Sequence, residues 1–180
     1  MREWMLLIVI CLLIAGCNTM TESDSNVKET PITYPTLFTM EADNFLYELE
    51  VNDGMFTGQE PVIIASLTYI GDKEEIVITH ATSPFYFDLQ ETTRGYTIDY
   101  FMDMPLVYTT LKKGEPLVER YRKSGGYSDE DAEDYQLFIA AFLEEHYPTG
   151  NYAVHGYAQF TIEGAAQNTE LCGHIGFIVE

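Results

Sequence analysis

Four histidines, His80, His146, His155 and His174, and the thiol of Cys172 are the side chains that metal or nucleophilic chemistry would use over most of the chain. A structural zinc centre is closed by four ligands. The histidines are scattered, with no pair at the spacing of a zinc motif, and Cys172 with His174 supplies two ligands on one strand face. No metal site is predicted. A cysteine nucleophile requires a base within hydrogen-bond reach, and spacing alone does not bring Cys172 to His155 or His174. A lone cysteine beside an apolar C-terminal strand reads instead as a small buried hydrophobe.

Other catalytic signatures are missing. The sequence has no Gly-x-Ser-x-Gly elbow, phosphate loop or dinucleotide fingerprint. The acidic run Asp129 to Asp134 lacks the sixth-position glycine and distal glutamate of a calcium loop. With 29 Asp and Glu residues, no carboxylate pair stands out as a glycosidase couple. No catalytic residue and no cofactor is predicted, and the chain reads as a non-enzyme.

The elements that carry these residues are mostly strands, because period-two alternation puts successive side chains on opposite faces. Phe45, Tyr47, Leu49 and Val51 share one face, as do Ile63, Ala65, Leu67 and Tyr69. "EIVITHA" follows the second of these across the polar turn Gly71-Asp72-Lys73, predicting two tightly joined strands. Phe85, Phe87 and Leu89 align, then Tyr96, Ile98, Tyr100 and Met102, and "LVYTTL" leads through Lys112-Lys113-Gly114 into "PLVERY". Near the C-terminus, Tyr152, Val154, Ala158, Phe160 and Ile162 oppose a polar face bearing His155, Tyr157 and Gln159. Ile175, Phe177 and Val179 complete the apolar set. About nine short strands with regular turns predict a mainly β fold, an antiparallel β-sandwich.

One stretch departs from alternation. "SDEDAEDYQLFIAAFLEEHYP" opens on Ser128 as an N-cap, carries acids through its first turns and stops before Pro148, predicting one inserted helix over about 128–146. Tyr135, Phe138, Ile139, Phe142 and Leu143 form its apolar stripe. "KSGGYS" before it reads as a flexible loop.

The first residues carry a different message. Arg2 precedes an unbroken apolar stretch from Met5 to Ile14, followed by Ala15 and Gly16, which is the build of a secretory signal. A membrane span would need about 20 apolar residues. Ile14-Ala15-Gly16-Cys17 resembles the lipobox of bacterial lipoproteins, and the resemblance implies cleavage after residue 16 and acylation of Cys17. Residues 17–36, rich in Ser, Thr, Asn, acids and Pro, have too few large apolar groups to fold and read as a lipid-anchored flexible tether. Residues 37–180 are then one β-sandwich domain. The implied address is the extracytoplasmic face of the cell membrane, in a Gram-positive bacterium, with the membrane reached through the lipid.

The formal charge of −20 constrains the partners further. Such a field repels phosphate backbones, so nucleic acid is excluded as a natural partner.

"PTGNYAV", residues 148–154, resembles the Gly-x-Tyr-x corner that leads into the sixth strand of immunoglobulin-like domains. The resemblance implies that the Tyr152 hydroxyl bonds back to nearby backbone. The order "ASLTYIG", "PFYFDLQ", "LKKGEP", "PTGNYAV" is similar to the Bacillus intracellular proteinase inhibitor family, a small β-sandwich. The expectation is an immunoglobulin-like binding module for an extracytoplasmic protein or cell-wall partner, with His155, Tyr157 and Gln159 as contact residues. A proteinase inhibitor or protease regulator and a passive envelope or spore-associated protein are the alternatives.

Overall fold

The computed structural model describes residues 34–144 and 146–180. The signal, Cys17 and the tether up to residue 33 lie outside the described residues. From the carbonyl of Pro35 the chain is already held by the domain: Gly176 N–H donates to Pro35 at 3.1 Å and Val51 N–H to Thr36 at 2.9 Å.

Alternation becomes two packed sheets. In the first, β1 (Leu37–Ala42), β2 (Phe45–Val51), β4 (Ile63–Tyr69) and β9 (Pro116–Arg120) lie in that order, all antiparallel. β1 and β2 are joined through Asp43 and Asn44, both at positive φ (53° and 68°), the two-residue turn whose twist matches a hairpin. The second sheet is organised around β10 (Gly150–Ile162) and β11 (Asn168–Val179), paired in register from Gly150↔Val179 to Thr161↔Asn168. The short β3 (Met55–Phe56) joins the outer edge of β11 in parallel, so this sheet is mixed.

The other edge of β10 takes two strands end to end. β6 (Phe85–Glu91) pairs along residues 152–158 and β5 (Glu75–His80) along 161–162. β6 continues to β7 (Tyr96–Ile98), and β5 to β8 (Val107–Lys112). The break between β5 and β6 at residues 81–84 is tied to the segment after β7: Thr82 donates to the Asp103 carbonyl from N–H (3.2 Å) and from Oγ1 (3.0 Å).

The predicted class, a mainly β sandwich with one inserted helix, is the class observed. β4 and β5 are joined by a short link across Gly71-Asp72-Lys73 as predicted, but they do not pair as a hairpin. They lie in different sheets, because both edges of β4 are occupied by β2 and β9 and both edges of β5 by β10 and β8. The link is a corner between layers, and the turn between β8 and β9 seats on it through Lys113 N–H to Glu74 O and Gly114 N–H to Tyr69 O, each 2.9 Å.

The inner faces form one core that includes Phe45, Tyr47, Leu67, Phe85, Phe87, Val154, Phe160 and Ile175, all essentially inaccessible. Two glycines set how closely the layers approach. Gly156 and Gly173 are register partners, and a Cβ on the first would run into Leu49 and the Tyr47 hydroxyl while one on the second would meet the Phe38 ring. Side chains of the first sheet therefore press directly on bare backbone of the second.

The helix α1 (Glu133–Glu144) starts later than predicted. Ser128 instead organises a turn: its N–H and Oγ both donate to Asp131 Oδ2, at 2.6 and 3.0 Å. These local bonds satisfy Ser128 outside the helix, which begins once they end. Phe138, Ile139 and Phe142 are buried, with Tyr135 and Leu143 packed beside them. Among the described residues, no helix is long and apolar enough to cross a membrane.

Candidate functional site

The alternation that buries Tyr152, Val154, Gly156, Ala158 and Phe160 turns the residues between them outward. β10 is central in its sheet, so His155 and Tyr157 each gain a neighbour on both sides, while Gln159 has Glu170 opposite it on β11. Across one row Asp88, His155 and His174 lie abreast, and across the next Tyr86, Tyr157 and Cys172. The three residues singled out by sequence, His155, Tyr157 and Gln159, thus occupy three successive rows of a single solvent-facing surface.

Ring contacts tie the rows together. Tyr86 and Tyr157 stack with centroids 4.8 Å apart and planes within 2°. His155 and His174 stack at 4.4 Å and 12°, and His155 leans on Tyr157 at 5.5 Å. Gln159 donates to Glu170 Oε2 at 3.3 Å and lines a groove of about 270 Å³ with Met104, Pro105 and Leu106. Met104 and Leu106 are 71% and 69% exposed, and the Met104 sulfur sits 3.8 Å from the Tyr86 hydroxyl. Met104 and Leu106 thus present apolar surface to solvent in the same groove that Tyr86 lines.

The electrostatics follow from crowding. Partial burial pushes the hydroxyls of Tyr86 and Tyr157 above the usual tyrosine value. Burial also raises the Asp88 carboxyl, a shift that neighbouring His155 partly opposes, with His155 Nδ1 3.9 Å from Asp88 Oδ2. His174 is lowered, first by desolvation and then by the second imidazole stacked on it. A positive charge on His155 opposes protonation of His174.

Cys172 is exposed, against the expectation of a buried hydrophobe. The inward positions of β11 are Leu171 and Gly173 in projection onto the core, so register sends the thiol outward, opposite Tyr157. Among the described residues no hydrogen bond joins Cys172 to a histidine, and no group of three or more His, Cys, Asp or Glu is placed to hold a metal ion. Three residues that sequence reasoning left out, Tyr86, Asp88 and Met104, belong to this face, and Cys172 and His174 share it as the sequence suggested. The outward parity of Tyr86 and Asp88 was readable from "PFYFDLQ"; that β6 borders β10 was not.

Tyr152 lies on the opposite, inner face. Its hydroxyl donates to the Pro148 carbonyl at 2.6 Å, bridging the bend between α1 and β10. Its ring stacks on Phe177 at 5.1 Å and meets Tyr147 edge-on at 5.4 Å. Burial raises the hydroxyl far above its ordinary value, so it acts as a neutral donor.

Fold and surface together define a β-sandwich with a structured, mixed aromatic and imidazole outer face. In comparisons with known proteins, the chain matches no family model, no curated protein and no solved structure.

Proposed function

We propose that the chain is a lipid-anchored, extracytoplasmic binding module of immunoglobulin-like build, whose partner docks on the outer face of β6, β10 and β11. The observation that carries this reading is the Tyr86–Tyr157 stack bordered by exposed Met104 and Leu106. Rigid aromatics lose little conformational freedom on binding, and they concentrate interface energy. The net charge of −20 favours a protein or cell-wall partner with basic or apolar surface over a polyanion. Cys17 carries the lipid in this reading, and residues after it give the module reach.

The test is crosslinking of the anchored protein in intact cells, followed by mass spectrometry, in wild type and in the Tyr157→Ala, His155→Ala double variant. The expected result is one enriched partner whose capture falls at least tenfold in the variant, equivalent to about 1.4 kcal/mol. Equal capture by both removes the partner from this face. In parallel, Cys17→Ser releases the protein from the membrane or leaves it unprocessed; unchanged retention and processing overturn the anchor.

A further inference from the structure

A second surface has a different chemistry. A cleft of about 1020 Å³ runs along the outer edge of β9, lined without interruption by Val118 to Ser124. Its far wall is Thr82, Ser83 and Tyr100 to Asp103, and Ser83 Oγ crosses to Glu119 Oε2 at 2.7 Å. β9 ends the four-stranded sheet. Tyr121 N–H donates inward to Ile63 O at 2.9 Å, and antiparallel alternation then turns the N–H and C=O of Val118 and Arg120 toward the cleft. Backbone groups exposed in this way are a template for another strand.

Charge sets what kind of strand. Arg120, Arg122 and Lys123 are three of nine Lys and Arg residues in a chain with 29 acids, and all three line this cleft. Lys123 is engaged, with Nζ 3.2 Å from Glu60 and 4.7 Å from the Tyr147 ring centre. Arg120 and Arg122 make no hydrogen bond or ion pair with the described residues. Of the cleft's acids, Glu60 is paired with Lys123 and His146, Glu119 keeps its charge while Ser83 fixes its carboxylate by a hydrogen bond, and Asp103 stands on the far wall. Phe101, 64% exposed, and Tyr100 supply apolar surface there.

We propose that an extended peptide bearing carboxylate side chains adds to β9 in this cleft. Its backbone pairs with Val118 and Arg120, carboxylates on one face meet Arg120 and Arg122, and alternate apolar side chains lie against Tyr100 and Phe101. Strand addition of this kind takes affinity from the main chain and specificity from alternate side chains. The span from Val118 to Arg122, about 13 Å at the rise of a strand, spreads the donors along a line instead of converging them on a small anion.

The experiment is fluorescence anisotropy with the full chain in detergent and a fluorescein-labelled decapeptide of alternating Glu and Val. Saturable binding is expected, weakened at least tenfold by Arg120→Glu combined with Arg122→Glu and by N-methylation of alternate peptide residues. Val118→Pro should weaken it similarly, since it removes a cleft-facing N–H that the sheet does not use. His155→Ala with Tyr157→Ala should leave it unchanged, which separates this site from the face proposed for the cellular partner. No saturable binding overturns the proposal, as does equal affinity for the methylated peptide or equal binding by the Arg120→Glu, Arg122→Glu variant. A thermal melt of each variant establishes that it is folded.

Discussion

β10 has two faces made from one run of residues, and they differ in what their neighbours ask of them. On the inner face Tyr152, Val154, Gly156, Ala158 and Phe160 meet a second sheet, and every position is constrained by volume. On the outer face His155, Tyr157 and Gln159 meet water and each other, and their stacking costs little to undo. The difference teaches where stability and recognition reside: inner-face changes should unfold the protein, and outer-face changes should leave it folded with altered surface chemistry.

The largest effect is expected at Phe160, fully buried and edge-on to Phe45 with ring centres 4.7 Å apart. Phe160→Ala should destabilise the domain by about 3–5 kcal/mol through lost burial and the cavity left behind. Chemical denaturation measures it. A loss comparable to that of a surface substitution would erase the contrast between the faces.

Next comes Glu91, at the inner-face end of β6 and opposite Tyr152. Its side chain is fully buried, yet the carboxylate accepts from the N–H groups of Thr93 (2.8 Å) and Arg94 (2.9 Å) and pairs with the Arg94 guanidinium at 3.2 Å. Desolvation alone would raise its pKa; these bonds outweigh it and hold the carboxyl below its ordinary value. A depressed folded-state pKa means the unfolded chain binds the proton more readily, so this stabilisation is complete above the unfolded value of about 4.3 and is lost as pH falls through the folded one. Glu91→Gln should cost about 1–3 kcal/mol at neutral pH and flatten the acid limb of the stability profile. Melting temperature against pH for both proteins is the check, and an unchanged acid limb would remove Glu91 from the account.

Tyr152→Phe sharpens the same comparison at smaller scale. It keeps the ring stacked on Phe177 and deletes only the bond to the Pro148 carbonyl, for an expected loss of about 1 kcal/mol in urea unfolding. No loss would mean that the hydroxyl is better satisfied by water and the corner held by ring packing alone.

The inner face was far more legible than the outer. Alternation in "NFLYELEV", "VIIASLTY" and "PFYFDLQ" identifies core positions because burial imposes apolarity at every second residue, and each of these faces is buried as read. Strand pairing was less legible. The Gly71-Asp72-Lys73 turn looks like a hairpin turn, but a tight link between layers carries the same residues, and only the competition of β2, β9, β10 and β8 for edges decides between them. The helix start was misplaced because Ser128 can cap a turn as readily as a helix. Parity did give the outward direction of His155, Tyr157 and Gln159. The partners that make them a surface come from a strand about seventy residues distant, in Tyr86 and Asp88, and local pattern carries no trace of that pairing.

The smallest expected effect tests the outer face directly. His174 is held below its ordinary pKa first by desolvation and second by the imidazole of His155 stacked 4.4 Å away. His155→Gln removes the second cause and leaves the first, so the His174 titration should move up toward, without reaching, the ordinary histidine value. The sign for stability follows: a histidine with a lowered folded-state pKa binds fewer protons than in the unfolded chain, so it disfavours folding as pH drops below the unfolded value of about 6.5. His155→Gln should therefore slightly relieve the loss of stability on that side while changing neutral-pH stability by no more than about 0.5 kcal/mol, as for other surface substitutions. Imidazole resonances followed by NMR across the titration decide it. If His174 titrates identically in both proteins, the stacked pair is uncoupled, and the outer face is a row of independent side chains instead of a surface whose members respond to one another.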